Sequence, residues 1–377
     1  MSTGGSTTTS NAEDTDNIQS RNDHLRSLRF INPLSLAFTP IPKGTAICRI
    51  HALRCGHLDV PARDLIQDVL DDVTLPLPAY AFLIEKLSPE DGSVLKRVLF
   101  DLGLRKSYGN HRYQFLTEKY QIHLSEEEEI ASILRNSLNI SPSSIDAVIL
   151  GHRHFDHIGD LGAFPVSVDL VLGPDSEKDL VKLADYLDLP LQVLQSRNIR
   201  HLERNKDEWK EIGAFKGHDY FGDGSLFILD APGHCAGHQN VLVRTSGNPP
   251  IYHLLASDTT HHIILAREPK QPSLRRPLIS IFPEDPNKPS NLLSFHDDLE
   301  EAYRTIAKAE RMDLEENVNV FLAHDISLDR LLRGGIGSAQ GGVQAKNWFT
   351  LDGNAAELKR FKDREWEDLY LASAYQS

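Results

Sequence analysis

The feature that most limits what this chain can become is an apolar run that ends in a crowd of ligand-type side chains: IDAVIL followed at once by GHRHFDHIGD, residues 145 to 160. IDAVIL is short and β-branched, which reads as a buried strand. Side chains alternate along a strand, so His152 and His154 are expected to leave its end on one side, with Asp156 continuing the series and His157 turned toward a neighbouring position. Neutral imidazoles and a carboxylate suit zinc and other borderline divalent ions, and such a strand exit lets one short segment serve two adjacent metals. A lone histidine is an ordinary surface or core residue. Four such groups within six positions behind an apolar strand ask for a chemical reason.

Three further apolar runs end the same way. SLFILD continues into APGHCAGHQN, where Pro232 and Gly233 fix a tight turn that presents His234. HLLASD ends in Asp258, and VFLAHD brings His324. Strand-like runs AYAFLIE (79–85) and SVLKRVLFDLG (93–103), separated by turn residues, read as an antiparallel pair. SEEEEIASILRNSL reads as one helix with Ser125 as N-cap, a solvated acidic start at Glu126 to Glu129, and Ile130, Ile133, Leu134 and Leu138 on one face. VSVDLVLG, QNVLVRT and IYHLLASD read as strands, and EKDLVKLADYL and SFHDDLEEAYRTIAKAERM as helices. This alternation predicts an α/β fold whose strand ends line one edge, where sites are usually assembled.

The rest of the chain sets limits on partners. A formal charge of −14 without a segregated basic cluster works against nucleic acid. The first 25 residues are polar and lack an apolar core, so a disordered tail is expected over 1–25 rather than a signal peptide. No segment reaches the roughly 18 apolar residues of a membrane span. Three cysteines, Cys48, Cys55 and Cys235, without a CxxC spacing suggest a reducing, cytoplasmic setting. The expected organisation is this tail, a catalytic domain over 26–333 and a linker with C-terminal segment over 334–377. Within the domain, the proline-rich insertion 268–292 reads as a constrained loop able to present Ile279 or Phe282 to a substrate. GGIGSAQGG opens the linker, and the segment after it carries Trp348, Phe361 and Trp366 for packing on the domain or on a partner chain.

The HxHxDH pattern at His152, His154, Asp156 and His157, followed by the histidine of PGH at 234, Asp258 and His324, resembles the metallo-β-lactamase superfamily over roughly residues 45 to 330. Within it, the pattern looks most like the N-acyl-homoserine lactonases and their fungal lactonase and γ-lactamase relatives. The resemblance implies an αββα sandwich, two mixed sheets flanked by helices. It implies two zinc ions per chain, or other divalent ions such as Mn, Fe or Co. His152, His154 and His234 would hold one ion, Asp156, His157 and His324 the other, and Asp258 would bridge, with Asp101 of FDLG supporting from behind. The implied activity is hydrolysis of a small cyclic ester or amide, a lactone or γ-lactam or a benzoxazolinone-type plant defence compound, by a metal-bridging hydroxide. Such an enzyme would serve detoxification, with Asp156 and His261 in catalytic roles. A thioesterase or glyoxalase II-like hydrolase is the alternative, and a non-hydrolytic metal-binding scaffold the third. The expected partner is the small-molecule substrate, with homo-oligomers allowed and neither nucleic acid nor membrane involved.

One position departs from the lactonases. Three residues after the bridging aspartate they carry a tyrosine that polarises the substrate carbonyl; here SDTTHH places His261, with His262 a weaker candidate. An imidazole can donate to an oxyanion or assist a leaving group. His238 and His253 are read as supports of strands or turns, Asp160 as orienting a ligand histidine or capping the following turn, and Cys235 as a non-ligand despite following His234.

Overall fold

The computed structural model describes residues 23–24, 27–28, 31–67, 69, 72–269, 276–281, 294–334, 347–351, 358–364 and 368. The expected tail falls almost wholly outside these residues, as do most of the proline-rich insertion with Phe282, nearly all of the linker, and Trp366.

Two sheets form the centre. The strands are β1 (Cys48–Pro61), β2 (Thr74–Leu87), β3 (Val94–Phe100), β4 (Ile122–His123), β5 (Ala147–Ile149), β6 (Asp169–Leu172) and β7 (Ile199–His201), then β8 (Lys210–Ile212), β9 (Phe215–Asp219), β10 (Leu226–Asp230), β11 (Gln239–Gly247), β12 (Pro250–Leu255), β13 (Val318–Phe321) and β14 (Trp348–Thr350). The eight-stranded sheet runs β14-β1-β2-β3-β5-β6-β7 with β4 also on β1, and the six-stranded sheet runs β13-β12-β11-β10-β9-β8. Both sheets are mixed. β1, β2 and β3 are antiparallel, whereas β3, β5, β6 and β7 are parallel, and in the second sheet only β12 and β13 run parallel.

The central strands read as continuous apolar runs because both their faces are covered. In β2, Tyr80, Phe82 and Ile84 join Phe100, Ile149, Ile228, Val241, Val243 and Phe321 in the layer between the sheets. The alternate residues Ala81 and Leu83 belong to the other cluster, which reaches helical residues Ile133, Leu134 and Leu183. Across the second sheet, Phe227, Leu229, Leu242 and Leu254 share that cluster with Tyr303, Ile306 and Met312 of the helix Leu299–Asp313. Helices therefore cover the outer faces, which is the αββα sandwich expected.

Four readings need correction. The helix expected from residue 125 is three pieces, Glu126–Glu128, Ile130–Ser132 and the wider Ile133–Ser137. Glu129 between them is extended, because the last two acids of the run are engaged: Glu128 accepts from the Ser125 N–H at 2.9 Å and pairs with Arg54 at 2.6 Å, and Glu129 accepts from the Lys106 N–H, while Glu126 and Glu127 stay exposed as expected. The helix expected from residue 294 starts five residues later, where Asp298 caps it by accepting from the Glu301 N–H at 3.0 Å. The strand expected over 166–173 spans only Asp169–Leu172. Ile279, expected to face substrate, is buried in the core and bridges Ile66.

The C-terminal segment lies against the domain. β14 pairs with β1, Lys359 donates to the carbonyls of Asp313, Glu315 and Val318, and Phe361 packs on the layer between the sheets. No helix among the described residues is long and apolar enough to cross a membrane.

Candidate metal centre

β3, β5, β10, β12 and β13 all end at one edge of the sandwich, and the ligand-type residues lie just past those ends. β5 stops at Ile149, so His152 to His157 do not alternate along a strand as expected; they sit in consecutive turns, with the His157 N–H bonded to the His154 carbonyl at 3.1 Å. The exit is tight. Gly151 donates to Asp101 Oδ1 at 2.6 Å, and a Cβ on Gly151 would lie 2.3 Å from Ser257 Oγ. Gly233, at φ +120°, lets the PGH turn pack on the helix Leu299–Asp313, where a Cβ would meet the Ala302 backbone at 2.3 Å.

All seven residues singled out as ligands come together. One nitrogen or oxygen from each of His152, His154, His234 and Asp258 lies within 4.8 Å of the others, and the same holds for Asp156, His157 and His324. Asp258 stands between the sets. Its Oδ2 faces His152 at 3.6 Å and His234 at 3.5 Å, while its Oδ1 faces His157 at 3.2 Å and His324 at 3.3 Å. Asp156 adds a second carboxylate, 3.4 Å from His324 Nε2.

The far sides of two rings are anchored. His157 Nδ1 lies 2.9 Å from Asp101 Oδ2 and His324 Nδ1 donates to the Pro78 carbonyl at 2.8 Å, so both present Nε2 inward. Asp101 also accepts from Ser257 Oγ at 3.1 Å, which ties the β3 end to the β12 end.

The donor set fits divalent ions. His234 Nε2 lies 3.0 Å from His152 Nε2 and 2.9 Å from His154 Nδ1. Facing imidazole nitrogens can share one proton between two, so three converging ones suit a cation among their lone pairs. Burial, reinforced by neighbouring imidazoles, holds His152 and His234 well below the ordinary histidine pKa, and burial takes His154 down to about 4. On the other side burial opposes charge, but Asp258 outweighs it: His157 is pushed up, with Asp101 adding, and His324 rises to about 10 with help from Asp156. Burial would raise Asp258, yet His157, His324 and His261 hold it well below the usual carboxylate range.

His261 lies beside the seven, with Nε2 3.3 Å from Asp258 Oδ2 and its ring 5.0 Å from that of His234. His262 is turned to a structural task, its Nδ1 accepting from the Ile264 N–H at the start of the turn Ile263–Leu265. His238 Nδ1 donates to the Ala231 carbonyl at 2.6 Å, Asp160 caps the turn at Leu161, and His253 is buried in β12 against Phe321. Cys235 is buried, its thiol pushed up to about 12 by burial, and it joins no ligand group among the described residues.

Sequence reasoning missed His296. It groups with His234 and His261, and the helix expected from residue 294 hid it. The signal was there in Asp298 followed by Leu299, Glu300 and Glu301, a capping residue before an acidic first turn.

A family model described as the metallo-beta-lactamase superfamily matches residues 76–278. The chain is similar to gamma-lactamase FDB1 of Fusarium pseudograminearum, 30% identical over 71% of each chain, and to metallo-hydrolase mfmC of Annulohypoxylon moriforme, 32% identical over 70% of this chain and 74% of that one. It is also 34% identical to cytochrome P450 monooxygenase mpaDE' of Penicillium brevicompactum, of which it spans only 30% of the length. Among solved structures, an N-acyl homoserine lactone hydrolase with N-hexanoyl-L-homoserine at its catalytic metal centre shares the fold, with a TM-score of 0.52, 18% identity and coverage of 75% of this chain and 95% of that one.

Proposed function

Because the chain belongs to the metallo-beta-lactamase superfamily, we propose that it is a binuclear zinc hydrolase that opens a small cyclic ester or amide, a lactone or γ-lactam such as a benzoxazolinone. The observation that carries the binuclear reading is Asp258, whose two oxygens face different histidine sets. His152, His154 and His234 would hold one ion and Asp156, His157 and His324 the other, with Asp258 shared. Bound zinc would lower the pKa of water to about 7 and polarise a carbonyl.

The chain's own residues supply orientation. Asp101 and the Pro78 carbonyl fix the tautomers of His157 and His324, so that these rings meet the site through Nε2. Asp156 faces the same space as His324 and sets the charge there. His261 lies close enough to Asp258 to donate to a substrate carbonyl or leaving atom on the His234 side. The names of the gamma-lactamase relatives favour a ring amide over the thioester of the alternative reading. Unpaired, buried thiols at Cys48, Cys55 and Cys235 support a cytoplasmic, reducing setting.

The test is a panel of lactones, lactams and thioesters offered to zinc-loaded protein. Ring opening of lactams or lactones is expected. Turnover of thioesters alone would replace this reading with the glyoxalase II-like one.

A further inference from the structure

His296 is 2% exposed, and neither ring nitrogen has a hydrogen-bond partner among the described residues. Its backbone is otherwise well held. Ser294 Oγ donates to the His296 carbonyl and accepts from its N–H, both at 2.9 Å, and the next two N–H groups bond to the carbonyls of His234 and Gly233 at 2.8 and 2.9 Å. The segment is thus clamped to the loop that carries His234. The ring it delivers sits 5.0 Å from His234 and 5.0 Å from His261, and one nitrogen of each of the three lies within 4.8 Å of the others. Phe295 borders the group, its ring 5.6 Å from His261 and 6.1 Å from Tyr120.

A buried imidazole with both nitrogens unsatisfied costs stability, so a fold retains one where something else meets it. A ring placed only for packing would do better as Phe or Leu, which leave no polar atom unsatisfied. Here one of the unsatisfied nitrogens lies within 4.8 Å of a nitrogen of His234, a proposed ligand, and of one of His261. An imidazole offers one donor and one lone pair, which matches the polar ring atoms of a lactam or lactone.

We propose that His296 contacts the substrate, forming with His261 a two-imidazole pair that hydrogen-bonds a polar atom of the ring to be opened. This rests on the hydrolase reading above and deepens it: the substrate is a small ring with a hydrogen-bonding atom besides the carbonyl that meets the metals. Removing His296 removes a contact made on binding, so the loss belongs mainly in KM.

The experiment compares full-length, zinc-loaded wild type with His296→Phe and His296→Gln, using 2-benzoxazolinone and N-hexanoyl-homoserine lactone as probes. Metal content, Tm and steady-state kinetics are measured on the same samples. His296→Phe should keep its metals, match or exceed the wild-type Tm, and lose about 10- to 100-fold in kcat/KM on the better probe, mostly through KM. His296→Gln, which retains a donor and an acceptor, should recover part of that loss. Wild-type kinetics in His296→Phe would overturn the proposal, as would loss of metal or a lower Tm, since these assign the ring to the metal centre or the core. If the wild type opens neither probe, the substrate reading fails by itself. Binding of each probe, measured on the same samples, then decides His296: weaker binding to a stable, metal-replete His296→Phe than to wild type upholds the contact, and equal binding, or none by either, overturns it.

Discussion

Among the described residues, a surface cluster and a buried cluster of histidine and aspartate differ in what satisfies them. At the end of β1, His57 and Asp59 share a strand face and His123 lies opposite on β4, their ligand atoms within 4.8 Å of one another. The rings of His57 and His123 stack at 4.5 Å, His123 bonds to Asp59 at 2.8 Å, and the Arg54 guanidinium donates to His57 Nδ1 at 3.2 Å. Arginine only donates, so His57 Nδ1 is an acceptor and its proton sits on Nε2. Burial and the Arg54 charge both hold its pKa down. His57 is met by arginine and His123 by a carboxylate, on residues that are half-buried or exposed. Among the described residues no arginine donates to the buried cluster, which packs three imidazole nitrogens against one another and keeps one carboxylate between two histidine sets. Proximity of ligand-type residues does not make a metal centre; unmet lone pairs in a dry site do.

The largest difference should come from removing the shared carboxylate. Asp258→Ala should lose both ions and at least about three orders of magnitude in kcat/KM, whereas His123→Ala should leave metal content and turnover unchanged. His324→Ala should release the second ion selectively. Equal loss of both ions from Asp258→Ala and His324→Ala, read by elemental analysis, would break the assigned partition.

Next in size is His261, which touches the centre without belonging to either ligand set. His261→Ala should cost roughly 10- to 1,000-fold in kcat/KM with both ions retained, and His261→Tyr should restore activity, most of all on homoserine lactones. A fully active two-metal His261→Ala enzyme would make this ring a bystander.

Stripping the metals should expose the charge stored in the buried cluster. His324 in the metal-free fold has a pKa of about 10, and His157 is also raised. A raised folded pKa gives stability that is complete below the unfolded value near 6.5 and lost as pH rises through the folded one. Metal-free protein should therefore weaken between about pH 7 and 10, while the loaded form, with ions in place of those protons, should not. Denaturant titrations of both forms check this, and parallel pH profiles would count against it. The smallest effect belongs to the surface cluster: His57→Ala with His123→Ala should change stability by no more than about 0.5 kcal/mol.

The contrast also explains what could be read from the sequence. Apolar runs covered on both faces and then broken by a ligand-type residue are hard to disguise, so the meeting of His152, His154, Asp156, His157, His234, Asp258 and His324 was legible, as was the sandwich. β1 was not, because CRIHALRCGHLDVP mixes arginine and histidine into a strand whose bulge between Arg54 and His57 breaks its alternation. His296 was lost to a helix read five residues too early. The order of turns from His152 to His157 was also beyond pattern reading, since it depends on Gly151 fitting between Asp101 and Ser257, which lie far away in the chain.

The central claim is that one buried carboxylate joins two ions. Anomalous difference maps at the zinc edge from crystals of the zinc-loaded protein test it directly. The account predicts two peaks about 3.5 to 4 Å apart, one among His152, His154 and His234 and one among Asp156, His157 and His324, with Asp258 between them and none at His57 and His123. A single peak at the buried cluster, or a peak at the surface cluster instead, would contradict it.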